Sequence, residues 1–132
     1  MITKTIQNPE TFDEELSAFI EENEAVAEQL KVFVLVLSDY GEGLREMWCP
    51  DCVHAHPIIK QALSDAGDCL LVEAYVSREF HRSQQNAFRS HPKLQLKALP
   101  QLYRVEPSAV AFLSTLIEKE CSDPSLLSVI TS

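Results

Sequence analysis

Two short runs constrain this chain most: "KVFVLVLS" (Lys31–Ser38) and "CLLVEAYV" (Cys69–Val76). Both are rich in aliphatic and β-branched residues, and neither alternates regularly with polar ones. That pattern belongs to strands covered on both faces. Between them, "VHAHPIIKQALSDAG" has helical character from Val53 onward and ends near Gly67, a residue suited to the left-handed turn that closes helices. A strand, a helix and a strand in this order make a crossover unit of the kind found in helix-covered sheets.

The flanks extend the alternation. Ile2–Gln7 reads as a short first strand. Asn8-Pro9-Glu10 supplies an N-cap, a proline at the first helical position and an acid near the positive end of the dipole. Phe12, Leu16, Phe19 and Ile20 then share one helical face, with the acids of Asp13–Glu24 on the solvated side. That helix fades near Glu22–Glu24, and a further turn is expected through Ala25–Leu30. Asp39–Glu46 is a loop. Arg78–Pro92 is polar, with a short helix over Gln84–Arg89. "QLYRV", Gln101–Val105, is a third core strand, directly after Pro100. Ser108–Glu120 reads either as a helix or as a loop followed by a strand at Thr115–Glu120. Asp123-Pro124 opens a last helix through Leu126, Leu127 and Ile130. The order predicts a single α/β domain over residues 1–132, a central mixed sheet flanked by helices on both faces.

Composition narrows the function. A chain of 132 residues, 45% apolar, suits one domain with one core. Its formal net charge of -9 opposes phosphate backbones and anionic lipid, so neither nucleic acid nor membrane is expected as a partner. "MITKTIQNPE" lacks the apolar stretch of a signal peptide, and Val32–Leu37 is too short to span a bilayer. The expected location is the cytoplasm. Reducing conditions there favour a catalytic or metal-binding role for paired cysteines over a structural disulfide.

Such a pair lies in "MWCPDCVHAHPII", Met47–Ile59. Cys49 falls between a buried strand and the first turn of a helix, where a thiolate meets the positive end of the dipole. CxxC thiols in such settings fall to a pKa of roughly 3.5–7.5 instead of about 8.5. The thiol is expected to face unpaired backbone N–H groups. Cys52, almost one turn on, lies deeper and within disulfide reach. Cys49 is thus placed to attack a disulfide, and Cys52 to resolve the mixed disulfide that results. Pro50 fixes the turn. Asp51 opposes a thiolate by repulsion while favouring the helix start. Trp48 can wall a docking surface, and Pro57 should kink the helix.

"WCPDC", the strand–CxxC–helix order and "ALPQLYR" resemble the thioredoxin superfamily. WCPDC, the long loop before it and the proline at Pro57 resemble one branch, that of the 14-kDa thioredoxin-related protein, thioredoxin domain-containing protein 17. The resemblance covers nearly the whole chain and implies that Cys49 is the nucleophile and Cys52 the resolving thiol. It implies that Pro100 is a cis-proline facing them, with Leu99 offering backbone groups to an extended substrate. It implies a cytosolic disulfide reductase with no bound cofactor, recharged with NADPH electrons by thioredoxin reductase. Its substrates would be small disulfides such as cystine and selected protein disulfides, together with peroxide and nitrosothiols, and it would carry a link to a dynein light chain. One departure is visible. Thioredoxins carry a buried carboxylate on the strand before the motif, and here Leu35 stands there. Resolution by Cys52 must then rely on water, Glu46, Asp51 or a histidine.

Three other readings compete. C-x-x-C-x-H-x-H offers zinc up to four ligands in Cys49, Cys52, His54 and His56, though they crowd one stretch without a second pair. His54 and His56 are otherwise polar helix residues, or a relay near Cys52. Cys69 and Cys121 read as small buried apolar residues. A different class of function is a thioredoxin-like binding or redox-sensing module with little turnover.

Overall fold

The computed structural model describes residues 1–27, 31–40, 47–78, 87–107 and 111–132. Their order is β1 (Ile2–Ile6), a 3-10 turn (Pro9–Thr11), α1 (Phe12–Glu22), α2 (Glu24–Ala27), β2 (Lys31–Ser38), α3 (Pro50–Asp65) and β3 (Cys69–Val76). Then come α4 (Ala87–Ser90), β4 (Gln101–Glu106), β5 (Ala111–Ile117), a second 3-10 turn (Glu118–Ser122) and α5 (Pro124–Ile130).

The strands form one mixed sheet in the order β1-β3-β2-β4-β5. β3 runs parallel to both β1 and β2, whereas β4 is antiparallel to β2 and β5 to β4. The chain crosses from β1 over β3 to β2, then returns to β3. Two right-handed crossovers in opposite directions put α1 and α3 on opposite faces. That explains why β2 is buried at every position from Val32 to Ser38. On the α1 side, Phe12 meets Phe88 of α4 edge-on at 5.8 Å. On the other side, α3 packs against α5 and the second 3-10 turn. The expected α/β sandwich is the observed one.

Several boundaries differ from expectation. Asn8 Oδ1 accepts the Glu10 N–H at 3.0 Å, so this cap serves the 3-10 turn, and α1 begins only at Phe12. α3 begins at Pro50 rather than Val53 and runs unbroken through Pro57. Of the expected helix over Gln84–Arg89, Ala87–Ser90 is seen and 84–86 lie outside the described residues, as do 28–30 and 41–46. The helical reading of Ser108–Glu120 is corrected: Ala111–Ile117 is a strand, three of whose side chains are exposed. Its pairing with β4 on one edge decides the matter, against a local propensity that allowed either form. The last helix starts as expected, with Asp123 Oδ1 accepting the Ser125 and Leu126 amides.

Candidate active site

The site is built where β2 ends and α3 begins. Cys49 is the N-cap of α3, in extended conformation and partly exposed, and Pro50 takes the first helical position. The Cys49 N–H donates to Ser38 Oγ at 3.2 Å. Its carbonyl accepts the Cys52 and Val53 amides at 3.0 and 3.1 Å. Its sulfur caps none of the first-turn amides. The expected set of unpaired N–H groups at the thiol is smaller than foreseen: the Cys49 carbonyl takes the Cys52 amide as well as that of Val53, which closes the first helical bond.

Cys52 is wholly buried beneath it, and its sulfur accepts the Ser38 backbone N–H at 3.4 Å. Burial pushes the Cys52 thiol up to about 12. The Ser38 amide and hydroxyl work against that rise, while the neighbouring Cys49 sulfur adds to it. All four cysteines are free thiols, and Cys69 and Cys121 are buried as expected. Ser38 therefore ties both cysteines of the motif to the strand, holding Cys49 by its amide and Cys52 by its sulfur. Sequence reasoning gave Ser38 no role. Its one signal was a hydroxyl closing an otherwise apolar run.

Trp48 is half-buried, and its indole N–H donates to the Val76 carbonyl at 3.0 Å. Its ring is a fixed wall, because its polar edge is engaged by the end of β3. Its backbone N–H donates to the Asp39 carbonyl at 3.1 Å, while the Asp39 N–H donates to the Val76 carbonyl at 2.9 Å. Burial raises the Asp39 carboxyl, against hydrogen bonds from Trp48 and its own backbone that lower it. Pro50 and Asp51 are exposed on the first turn.

The peptide bond between Leu99 and Pro100 is cis. Because Val36 pairs with Gln101, Pro100 lies at the same end of the sheet as Ser38 and the cysteines. The Pro100 carbonyl accepts the Glu118 N–H at 2.8 Å.

The two histidines separate. His54 is exposed, whereas His56 is half-buried, with Nε2 at 2.8 Å from Glu73 Oε2. Lys60 donates to Glu73 Oε1 at 3.3 Å, and the Tyr75 hydroxyl donates to Oε2 at 3.2 Å. Glu73 is only 5% exposed. Burial pushes its pKa up, but the His56 hydrogen bond and the Lys60 charge outweigh that, and the carboxyl sits below the usual range. Glu73 was missed because it reads as one polar letter inside an apolar strand. Among the described residues, no three His, Cys, Asp or Glu side chains converge as a metal cage would require, and Glu46 lies outside those residues.

A mixed sheet in this strand order, with a CxxC pair opening the helix after its central strand, is the arrangement of a thioredoxin-fold protein. The profile of the family "Thioredoxin domain-containing protein 17-like, thioredoxin domain" matches residues 8–132, and the chain belongs to that family. Thioredoxin domain-containing protein 17 of Mus musculus is 31% identical over 126 residues, 92% of this chain and 97% of the mouse protein. Thioredoxin-like protein Clot of Arabidopsis thaliana is 28% identical over 111 residues, 83% of this chain and 81% of the plant protein. Thioredoxin domain-containing protein 17 of Homo sapiens is 28% identical over 87 residues, 64% of this chain and 65% of the human protein. The family supports a function in thiol redox chemistry. Among the described residues no helix is long and apolar enough to cross a membrane.

Proposed function

We propose that this protein is a thiol-disulfide oxidoreductase that works as a disulfide reductase. The observation that carries the reading is the difference between its two thiols: Cys49 reaches solvent at the head of α3, and Cys52 is wholly buried on Ser38. Cys49 attacks a substrate disulfide, forms a mixed disulfide and releases the first thiol. Cys52 then attacks the Cys49 sulfur, a Cys49–Cys52 disulfide forms, and the second substrate thiol departs. Two electrons pass from the dithiol to the substrate. Trp48, Asp51, Leu99 and Pro100 frame the approach, and small disulfides such as cystine suit a site with one exposed sulfur. Thioredoxin reductase and NADPH return the electrons in the cytoplasm.

The test is NADPH consumption with thioredoxin reductase and cystine. Wild type should turn over, Cys49→Ser should not, and Cys52→Ser should accumulate a mixed disulfide visible by intact-mass measurement. Sustained cystine reduction by Cys52→Ser would refute the dithiol mechanism. No NADPH consumption on cystine or insulin would favour a binding module.

A further inference from the structure

Resolution needs the Cys52 proton removed, yet Cys52 is wholly shielded from water. The strand position where thioredoxins place a carboxylate for this purpose holds Leu35. In the parallel register of β2 and β3, the residue directly beside Leu35 is Glu73. Adjacent residues in a parallel pair point to the same face of the sheet, and the contacts of Glu73 with His56 and Lys60 show that this face carries α3. An acid missing from one strand is thus present one strand over.

His56, the hydrogen-bond partner of Glu73, lies about one helical turn from the thiol. It follows Cys52 by four residues, so the two share a stripe of α3 with Cβ atoms about 5–6 Å apart. Helical side chains lean toward the N-terminus, which for His56 is the direction of the turn that holds Cys52. Ionised Glu73 only accepts hydrogen bonds, so the nitrogen facing it carries the proton, and Nδ1 is left as the basic atom. We propose that Glu73 is a positioning residue for the second half-reaction, holding His56 in the orientation and tautomer that accept the Cys52 proton.

The step rests on the dithiol reading above and balances within it. The Cys52 proton passes to His56 Nδ1, the Cys52–Cys49 bond forms, and the bond from Cys49 to the substrate sulfur breaks. The departing thiolate then takes a proton from the imidazolium or from solvent. Among the described residues, the groups facing this pair are Lys60 on α3, Tyr75 on β3, and the neutral Leu35 and Thr5 on the flanking strands. Burial and the Glu73 carboxylate push the Tyr75 hydroxyl up, so it stays protonated through neutral pH.

The probe is 2,2′-dithiodipyridine at one equivalent, followed by stopped flow across pH 5–9. Capture by Cys49 releases one coloured thiopyridone, and resolution by Cys52 releases the second. His56→Gln should leave the first phase unchanged and slow the second roughly 10²-fold at neutral pH. Glu73→Gln should slow the second phase less and move its inflection to lower pH, because the imidazolium loses its carboxylate. Glu73→Asp should restore part of the rate. A merely structural role for Glu73 would not move that inflection. A second phase with the wild-type rate and pH profile in both His56→Gln and Glu73→Gln overturns the proposal. So does a profile that moves with Asp39→Asn but not with His56→Gln. If Glu73→Gln does not fold, His56→Gln still decides, since its site is half-exposed. Failure of wild type to release a second thiopyridone would instead refute the dithiol reading.

Discussion

Two corners of this molecule each bury a thiol completely, and in each burial pushes the pKa up to about 12. Their hydrogen bonds point in opposite directions. Cys52, on α3, accepts the Ser38 N–H and has a second sulfur beside it. Cys121, in the second 3-10 turn, donates to the Leu116 and Pro100 carbonyls at 3.3 and 3.5 Å, offset by one amide, that of Leu102. A sulfur that accepts keeps its partner on losing its proton. One whose proton reaches toward two carbonyls loses both contacts and faces two oxygens instead. Burial raises both thiols alike; the polarity of the neighbours sets what each sulfur would meet on losing its proton.

The sharpest way to break the comparison is to exchange each sulfur for oxygen. Cys52→Ser should abolish multiple turnover of cystine in the NADPH-coupled assay. Cys121→Ser should keep kcat within about twofold, since its sulfur takes no part in exchange. Equal losses in both would sink the distinction.

The next largest effect is in labelling. Iodoacetamide on the native reduced protein at neutral pH should modify Cys49 and spare Cys52 and Cys121, as read by peptide mass spectrometry. Cys121 labelled as fast as Cys49 would mean that its corner opens.

A smaller effect tests the charges between α3 and β3. Because the folded pKa of Glu73 is lowered, its ionisation stabilises the fold above the unfolded carboxyl value of about 4.3. That contribution fades as pH falls through the folded value. Glu73→Gln should cost about 1.5–3 kcal/mol in urea unfolding at pH 7, and the gap to wild type should close below about pH 4. A gap that stayed constant with pH would mean that shape, not charge, is lost.

The smallest effect belongs to the Cys121 corner. Asp123→Ala removes the cap of α5 and should cost about 1 kcal/mol while leaving cystine reduction unchanged.

Legibility followed the range of the interactions. The strands Lys31–Ser38 and Cys69–Val76 match their predicted bounds, because short runs so dominated by aliphatic and β-branched residues admit few other structures. The cap at Asp123 and the core face of α1 read correctly for the same reason. β5 was ambiguous, since "AFLSTLI" takes its form from pairing with β4 and not from itself. The cysteines and Trp48 could be placed at the site from the motif and the element order, and Pro100 from the family resemblance. Ser38 and Glu73 could not, because their importance comes from what lies across from them.

What the chain determined by itself was the order of its elements and the placing of two thiols one turn apart at the head of a helix. Those features depend on residues within three or four positions of each other, so linear spacing suffices. Only the tertiary structure decided that Ser38 would bind both members of the pair and that Glu73 would stand beside Leu35 under His56. Strand register joins residues far apart in the chain, and nothing in the local letters specifies which will meet.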